Sequence, residues 1–497
     1  MVTRYITRLH LGHYVFLCLI ALGLAIPDAM AEAFTDLTQW FSIHFGWLVL
    51  LVCACFVAFA GYICFSRYGS IRLGGPDERP QFNTLSWIAM LFAAGMGSGL
   101  VFYGAAEPLT HFVNAPPASE MVMPGAGEAR RAMALSLFHW GIHAWAIYAM
   151  AALTIAFFTF HKQLPMLPSA PIQGAVPLRV RGIVSRLVDM AGIVGVVFGL
   201  VASLSMAILQ ISEGFMRVFG PTIDIDVLRL LILGAMFICY TISASTGLGK
   251  GIKILSDINM GVAVLLMLFI LFTGPTLFIL DTFVSSIGDY LDGFVQMTFN
   301  TRQISDTQHW TAGWSISYFL WWMSWGPFVG VFIARISRGR TMREFLCGVI
   351  LVPTLFSALW FSTLGGTALY LELIAEPGFA SNIANIQSTT FEMVARLPLQ
   401  EITSVVILLL LFIFLITSAD SGSYVLGMFT SDGDIHPPVW QRVSWGVLIG
   451  LVTAGALMSG RGADFFRAFA VIGAIPYMMV MVWQMVCFYR ALRREKV

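Results

Sequence analysis

Three tryptophans, Trp321, Trp322 and Trp325, lie within five residues of a long apolar stretch. On an α-helix they fall at about 0°, 100° and 40°, so they share one face. An indole ring attracts a cation to its π face by roughly 0.5 to 2 kcal/mol, and cages of such rings bind quaternary ammonium groups. Tryptophan also anchors membrane helices at the lipid headgroups. Because these three lie near the middle of the stretch 308–335, we favour a ligand site over an anchor.

A second aromatic face is predicted from Trp140, Trp145 and Tyr148, which fall at about 0°, 140° and 80° on the helical wheel. It would supply another wall of the same cage. His139 and His143, spaced i and i+4 in this segment, could ligate zinc, but the sequence supplies no adjacent glutamate or third ligand. We therefore expect both histidines to be hydrogen-bonded within a helix bundle.

Glycine alternates with other residues at Gly95, Gly97 and Gly99, and Ser98 lies among them. Each glycine weakens a helix by about 1 kcal/mol relative to alanine. The pattern fits a broken helix whose freed carbonyls bind a cation. It fits equally well a groove of small residues that lets a neighbouring helix approach closely.

Hydroxyls and a carboxylate interrupt another apolar segment, in the run Thr417-Ser418-Ala419-Asp420-Ser421. An acidic side chain inside a membrane segment is expensive and indicates a function by default. The hydroxyls, together with carbonyls of a broken helix, would give the oxygen ligands that a hard monovalent cation prefers. For Asp420 we favour capping of backbone donors of a neighbouring helix over direct contact with the ion.

The composition excludes a water-soluble globule. Of the 497 residues 58% are hydrophobic and only 11% are charged, and the mean hydropathy is +0.82, whereas a soluble domain is about 25% charged. No catalytic constellation is evident, and neither enzymatic activity nor a nucleic-acid partner is predicted. Apolar segments of spanning length are placed at 13–32, 45–66, 82–106, 130–159, 186–213, 226–246, 255–280, 308–334, 344–372, 402–429, 438–458 and 466–490.

Most basic residues lie in alternate connections of this twelve-span arrangement, and the rule that Lys and Arg favour cytoplasmic loops places both termini in the cytoplasm. The longest connection, 281–307, carries apolar residues at helical spacing. It predicts either an amphipathic helix on the outer surface or an ordinary folded loop.

Three motifs together resemble the betaine/choline/carnitine transporter (BCCT) family: Trp321-Trp322-Met323-Ser324-Trp325-Gly326-Pro327, Ala94-Gly95-Met96-Gly97-Ser98-Gly99 and Thr417-Ser418-Ala419-Asp420-Ser421. The Gly326-Pro327 step of the first motif predicts that its apolar segment is interrupted there. The resemblance implies an all-α polytopic membrane protein with twelve transmembrane helices, a LeuT-like 5+5 inverted repeat, alternating access and commonly a homotrimer. The implied units are two N-terminal helices and a cytoplasmic loop (1–81), the first five-helix repeat (82–280), an external amphipathic connector (281–307), the second repeat (308–490) and a short cytoplasmic tail (491–497).

The resemblance also implies roles for individual residues. The family's aromatic box falls on Trp140, Trp145, Tyr148 and Trp322, with Trp321, Trp325 and Phe328 along the substrate path. Its sodium site falls on backbone carbonyls of Ala93, Met96 and Phe414 and on the side chains of Thr417 and Ser418. The threonines of a second sodium site are replaced here by Val196 and Leu200, so that site is expected to be absent. No cofactor is expected apart from sodium as the coupling ion.

The substrate follows less directly from the resemblance. Choline carriers of the family have an aspartate at the position of Gly99, so a zwitterion such as glycine betaine fits better here. Sodium-independent exchangers place an arginine at the position of Met260, which favours sodium symport. The expected protein imports glycine betaine for nutrition or osmoprotection across a bacterial-type inner (plasma) membrane, in contact with lipid. The alternative is a proton-coupled or exchange carrier for choline, carnitine or dimethylsulfoniopropionate on the same fold.

Overall fold

The computed structural model describes residues 11–95, 97–114, 126–221, 223–246, 249–301 and 308–495. These residues are predominantly helical, and no β-strand occurs among them. Their one β-type pairing is an isolated antiparallel bridge between Arg72 and Thr341. The fold is therefore all-α, as the sequence predicts.

The first half of the chain contains nine α-helices within the described ranges. They are α1 (Leu11–Ala25), α2 (Pro27–Phe65), α3 (Thr84–Gly95), α4 (Ser98–Val113), α5 (Ala126–Trp140), α6 (Ile142–Ala156), α7 (Leu178–Phe219), α8 (Ile225–Thr246) and α9 (Gly249–Thr273).

The second half, as far as it is described, begins with two helices in the predicted connector and continues with the helices of the tryptophan and hydroxyl motifs. They are α10 (Thr276–Asp292), α11 (Phe294–Phe299), α12 (Gln308–Thr311), α13 (Ser317–Ile336), α14 (Met342–Leu346), α15 (Val352–Tyr370), α16 (Thr389–Val394), α17 (Gln400–Phe429), α18 (Val439–Met458) and α19 (Ala463–Leu492). A π-helical turn, Ala312–Ile316, joins α12 to α13, and another, Cys347–Leu351, joins α14 to α15.

Ten helical stretches of the described chain are long and apolar enough to cross a membrane, which makes this a polytopic membrane protein. A shorter apolar helix occupies Leu11–Leu22. The pair α3 and α4 covers the predicted span 82–106, but each arm alone has only 12 or 16 residues. The connector is helical rather than an irregular loop: α10 packs against α5 and α15, and residues 302–307 lie outside the described part.

The predicted span 130–159 lies within one of the ten spanning stretches, Gly127–His161, but its helix breaks at Gly141 (φ −99°, ψ −135°) into α5 and α6. A Cβ at this position would lie 2.4 Å from the carbonyl oxygen of Leu137, so only glycine fits. The hydroxyl of Tyr290 on α10 accepts a hydrogen bond from the backbone N–H of Ile142, at 3.1 Å. A side chain from the connector thus accepts the hydrogen bond of the first free N–H group after the break.

The Gly326-Pro327 step does not interrupt its segment, contrary to the prediction, and α13 continues through it to Ile336. The helix is held on several sides, since α13 packs against α6, α7 and α19. At Gly330 a Cβ would lie 3.0 Å from the Cβ of Ala151, so α13 and α6 are in close contact. Packing of this kind keeps the two aromatic segments side by side.

Candidate functional site: an aromatic cavity

A cavity of about 140 Å³ lies between α4, α5, α6, α13 and α17. Four tryptophans line it, together with other aromatic rings from the same helices. The aromatic lining residues are Trp140, Tyr148, Trp321, Trp322, Trp325, Phe328, Phe332 and Phe414. The structure therefore brings both sequence motifs that are rich in tryptophan to one site.

The walls of the cavity meet nearly at right angles. The ring of Trp322 is perpendicular to that of Trp140, with centroids 5.0 Å apart and an interplanar angle of 90°. Tyr148 meets Trp322 at 5.2 Å and 78°. The indole N–H of Trp321 donates to Ser203 Oγ on α7 at 3.2 Å. Such an arrangement presents ring faces on more than one side of a single bound group.

Trp145 is the one predicted aromatic residue that does not line the cavity. It is fully buried behind Tyr148, whose ring it meets edge-on at 5.8 Å. The helical wheel placed Trp140 and Trp145 on one face, but a wheel assumes an unbroken helix. Since Gly141 separates α5 from α6, the two tryptophans are not related by helical geometry.

The glycine-rich segment forms one end of the lining. The helix breaks between Gly95, the last residue of α3, and Ser98, the first residue of α4, and Gly97 is extended (φ −118°, ψ −169°). Gly97, Ser98 and Gly99 all line the cavity. The N-terminus of α4, with its unpaired backbone N–H groups, therefore faces the site.

The predicted sodium ligands on α17 lie on the same cavity. Phe414, Thr417 and Ser418 line it together with Ser421. The hydroxyl of Thr417 donates to the carbonyls of Ile413 and Phe414, at 3.0 and 3.2 Å, which leaves its oxygen lone pairs free to bind a cation. The backbone of Ala93 lies in α3. Met96 lies outside the described residues.

At the positions of the second sodium site the structure has an apolar interior. Val196 and Leu200 on α7 are each about 1% exposed. Leu200 packs against Gly422 of α17, where a Cβ would lie only 2.3 Å from its methyl group. Neither side chain offers an oxygen ligand.

The two ends of the cavity differ. Toward the start of α13, Trp314 stacks on Tyr318 with centroids 5.9 Å apart and an angle of 17°, and Tyr318 contacts Trp321. Arg467 on α19 lies over the ring of Trp314 at 4.9 Å and donates to the carbonyl of Gly313. Toward the end of α13 the lining continues to Phe332. A layer of aromatic rings thus covers one end.

A profile described as "BCCT, betaine/carnitine/choline family transporter" matches residues 9–497. The chain belongs to this transporter family. It is accordingly a transporter and not an enzyme.

Named relatives of this BCCT chain differ in the substrates that their descriptions give. It is 42% identical over 477 residues to the "Glycine betaine transporter OpuD" of Bacillus subtilis (strain 168), which covers 95% of this chain and 92% of the relative. An "Ectoine/hydroxyectoine transporter" of Virgibacillus pantothenticus is 37% identical, covering 98% and 96%. The "High-affinity choline transport protein" of Escherichia coli (strain K12) is 35% identical, covering 92% and 67%.

Beside the cavity of this BCCT transporter lies a buried polar cluster of residues that are distant in sequence. His139 and His143 are both hydrogen-bonded, as predicted. The structure also brings Glu107 and His111 to His139, so the prediction that no third ligand accompanies it is wrong. Ligand atoms of these three side chains lie within 4.8 Å of one another, so among the described residues this group could hold a metal ion. His143 faces elsewhere and pairs with Thr298 Oγ1 at 2.9 Å. In the sequence, Ala106-Glu107-Pro108 places a glutamate at the end of an apolar span, and this is the local signal that points to the cluster.

Asp420 does not line the cavity, and the prediction that its carboxylate caps backbone donors of a neighbouring helix is wrong, because its partners among the described residues are side chains. Its Oδ1 lies 3.5 Å from Arg442 Nη2 on α18 and accepts a hydrogen bond from Ser243 on α8 at 3.4 Å. The carboxylate is thus paired with a cation on the next helix. An ion pair between residues 22 positions apart in the chain was not visible in the local sequence.

Proposed function

We propose that this protein imports a zwitterionic quaternary-ammonium compound, with glycine betaine as the first substrate to test, by sodium symport and alternating access. One observation carries the proposal: the cavity is walled by aromatic rings, and none of its described lining residues is charged. A trimethylammonium group has no N–H to donate, so ring faces are the groups that can bind it. OpuD, described as a glycine betaine transporter, is a relative at 42% identity.

A zwitterion suits this cavity better than a net cation. The proposed sodium ion already brings one positive charge to this cavity, and a cationic substrate would add a second uncompensated charge in a medium of low dielectric constant, which is costly. A zwitterion carries its own counter-charge and adds no net charge. Its carboxylate can accept hydrogen bonds at the N-terminus of α4, where Gly97, Ser98 and Gly99 face the site.

Sodium coupling is supported by the position of the α17 hydroxyls. Thr417 and Ser418 lie on the same cavity as the break between α3 and α4. The last carbonyls of α3 have no intrahelical partner, and we assign that of Ala93 to the ion together with the carbonyl of Phe414. The resemblance adds Met96, which lies outside the described residues. Val196 and Leu200 are apolar and buried, so they offer no ligands for a second ion. We therefore propose a single sodium ion per transport cycle.

The transport path follows from the two ends of the cavity. We place both termini in the cytoplasm of a bacterial-type cell, with twelve helices crossing the plasma membrane and the last ten forming two inverted repeats. The end of α13 near Phe332 then lies toward the cytoplasm, and the aromatic layer of Trp314 and Tyr318 lies toward the outside. This corresponds to a conformation closed on the outer side, one of the states that alternating access requires. A homotrimer is the proposed assembly.

The test is uptake of radiolabelled glycine betaine into proteoliposomes, with and without an inward sodium gradient. Wild type is compared with Thr417→Ala/Ser418→Ala and with the control Thr403→Ala. Thr403 lies on the same helix and makes the same kind of hydrogen bond to a backbone carbonyl, to Leu399 at 3.0 Å, but does not line the cavity. We expect gradient-driven accumulation in wild type and control, and its loss in the double variant.

Other outcomes would redirect the proposal. Uptake that is indifferent to sodium in the wild type would overturn symport and favour proton coupling or exchange. Uptake of choline, carnitine or dimethylsulfoniopropionate without uptake of glycine betaine would keep the carrier and overturn the substrate. Sodium dependence that survives in the double variant would move the ion away from α17.

A further inference from the structure

Glu107 on α4 is fully buried, and one of its carboxylate oxygens holds two aromatic residues of the site. Its Oε2 accepts hydrogen bonds from the indole N–H of Trp140 and from the hydroxyl of Tyr318, both at 2.7 Å. Trp140 forms a wall of the cavity, and Tyr318 belongs to the layer that covers one end. The Glu107 carboxylate therefore links Trp140 in the cavity wall to Tyr318 in the aromatic layer beside it.

The other oxygen of Glu107 faces two histidines. Its Oε1 lies 2.7 Å from His139 Nδ1 and 3.2 Å from His111 Nε2. His139 uses its second ring nitrogen for Ser315 Oγ, at 2.9 Å. A buried carboxylate is costly unless it is fully hydrogen-bonded and its charge is compensated. The four partners, Trp140, Tyr318, His139 and His111, supply contacts to both carboxylate oxygens.

Trp140 differs from the other cavity tryptophans in its acceptor. Trp321 donates to a serine hydroxyl and Trp322 to a backbone carbonyl, whereas Trp140 donates to a carboxylate. Hydrogen bonds to charged groups are shorter and roughly twice as strong as neutral ones. Trp140 is also the last residue of α5, directly before the break at Gly141, and its ring packs against Trp322 and Phe361.

We propose that Glu107 is a positioning residue for substrate binding, which sets both the orientation and the electron density of the Trp140 ring. A carboxylate that accepts the indole N–H polarises the ring, because hydrogen-bonded groups in a low-dielectric interior strengthen one another's dipoles. The ring face becomes more negative and attracts a quaternary ammonium group more strongly. This inference rests on the proposed function for its ligand.

The test is a double-mutant cycle between Glu107→Gln and Trp140→Phe, read as the KM and maximal rate of glycine betaine uptake. Glutamine keeps the shape, and its amide oxygen can still accept from Trp140, but the acceptor loses its charge. Because a hydrogen bond to a charged group is roughly twice as strong as a neutral one, we expect KM to rise by about five- to tenfold, with a maximal rate within about twofold of wild type. Phenylalanine has no N–H, so in the Trp140→Phe background Glu107→Gln should change KM by less than about twofold.

A spectroscopic readout tests the proposal without any transport. The difference in the ultraviolet resonance Raman spectrum between wild type and Trp140→Phe isolates the indole N–H of Trp140. We expect its hydrogen-bond marker band to move in Glu107→Gln and to stay in place in the control His143→Gln. His143 is equally buried but bonds to Thr298. If the wild type takes up no glycine betaine, the proposed function fails, and this band still tests the Glu107 contact.

Three results would overturn the proposal. The first is an unchanged KM in Glu107→Gln, and the second is an equal loss of affinity when Glu107→Gln is added to Trp140→Phe. The third is stoichiometric zinc in the purified protein that Glu107→Gln removes, which would make the cluster a metal site. If Glu107→Gln does not fold, the variant Tyr318→Phe is used instead. It removes the Tyr318 donor from Glu107 Oε2 and leaves the hydrogen bond from Trp140 in place. The Raman band of Trp140 should then stay where it is in the wild type, and a shift of that band would also contradict the proposal.

Discussion

The indole N–H of Trp322 donates to the main-chain carbonyl of His139 at 2.9 Å, and this bond ties the two aromatic walls of the cavity to each other. Trp322 comes from α13, and His139 lies beside the wall residue Trp140 on α5. The carbonyl lies in the last turn before the break at Gly141, where helix carbonyls lack an intrahelical partner. One side chain thus lines the cavity and satisfies the end of a broken helix.

We expect Trp322→Phe to weaken glycine betaine binding by roughly tenfold, since it loses an indole face worth up to about 2 kcal/mol and the bond to His139. The measurement is the KM of uptake. Trp145→Phe is the matched control, because Trp145 is buried but does not line the cavity, and its KM should stay near the wild-type value. If the two variants lose affinity equally, Trp145 contacts the substrate and the boundary of the site is wrong.

Local patterns were sufficient to predict a substantial part of this site. Alternating glycines indicated the break that separates Gly95 from Ser98 as one of two alternatives, and the family resemblance favoured it. Helical spacing predicted that Trp321, Trp322 and Trp325 share a face, and all three line the cavity. Both features depend on residues only a few positions apart. Periodicity and intrinsic helix propensity act over that distance.

Features that depend on distant residues could not be predicted. The backbone at the break requires glycine at position 141, because a Cβ there would meet the carbonyl of Leu137. The free N–H of Ile142 donates to the hydroxyl of Tyr290 on α10. Pro327 stays inside α13 although proline often breaks helices. The donors to Glu107 lie 33 and 211 positions away. Sequence spacing carries no information about such contacts.

Gly99 should control the choice between a zwitterion and a cation. A Cβ at this position would lie 3.1 Å from Trp140 and 3.4 Å from Trp321, so a side chain there enters the cavity. Gly99→Asp puts a carboxylate into a lining without charged residues. We expect glycine betaine uptake to fall, because its carboxylate is repelled, and choline uptake to rise. The measurement is competition of each compound against the other.

Gly99→Asn is the control for size, since it has nearly the same volume without the charge. It should lower glycine betaine uptake through crowding and leave choline uptake no better than in wild type. If Gly99→Asn admits choline as well as Gly99→Asp does, the shape of the cavity and not its charge selects the substrate.

At acidic pH the segment after α19 should detach from His161 and Lys162, which lie just after α6. Glu495 bonds to Lys162 and lies 3.2 Å from His161. Partial burial acts to raise the pKa of Glu495, but the hydrogen bonds from Lys162 and His161 outweigh it and the pKa is lowered. A lowered pKa stabilises the contact above the unfolded value of about 4.3, and the stabilisation is lost as the pH falls through the folded value.

The protection factor of the amides in the segment that ends α19, which is the intrinsic exchange rate at each pH divided by the measured rate, should therefore fall as the pH is lowered from 7 to 3. The variant Glu495→Gln removes the titrating group and should show lower protection already at pH 7, with little further change on acidification. A wild-type protection factor that stays constant or increases on acidification would contradict the role of the carboxylate.

The ion pair between Asp420 and Arg442 should stabilise the half of α17 that follows the hydroxyls of Thr417 and Ser418. Both side chains are mostly buried, at 12% and 14% exposure. Arg442→Met leaves the Asp420 carboxylate without its cation, and breaking a buried pair in this way costs about 3 to 5 kcal/mol. The long N–O distance of 3.5 Å places our expectation at the lower end of that range. The measurement is thermal unfolding in detergent.

Replacing both partners by apolar residues separates the effect of an unpaired charge from that of lost packing. In Asp420→Leu/Arg442→Met no charge remains buried, so we expect most of the lost stability to return. Because Asp420 is one helical turn beyond Thr417, the single variant should also raise the sodium concentration needed for half-maximal uptake, and the double variant should do so less. Equal destabilisation by the single and the double variant would show that the pair contributes through its packing and not through its charge.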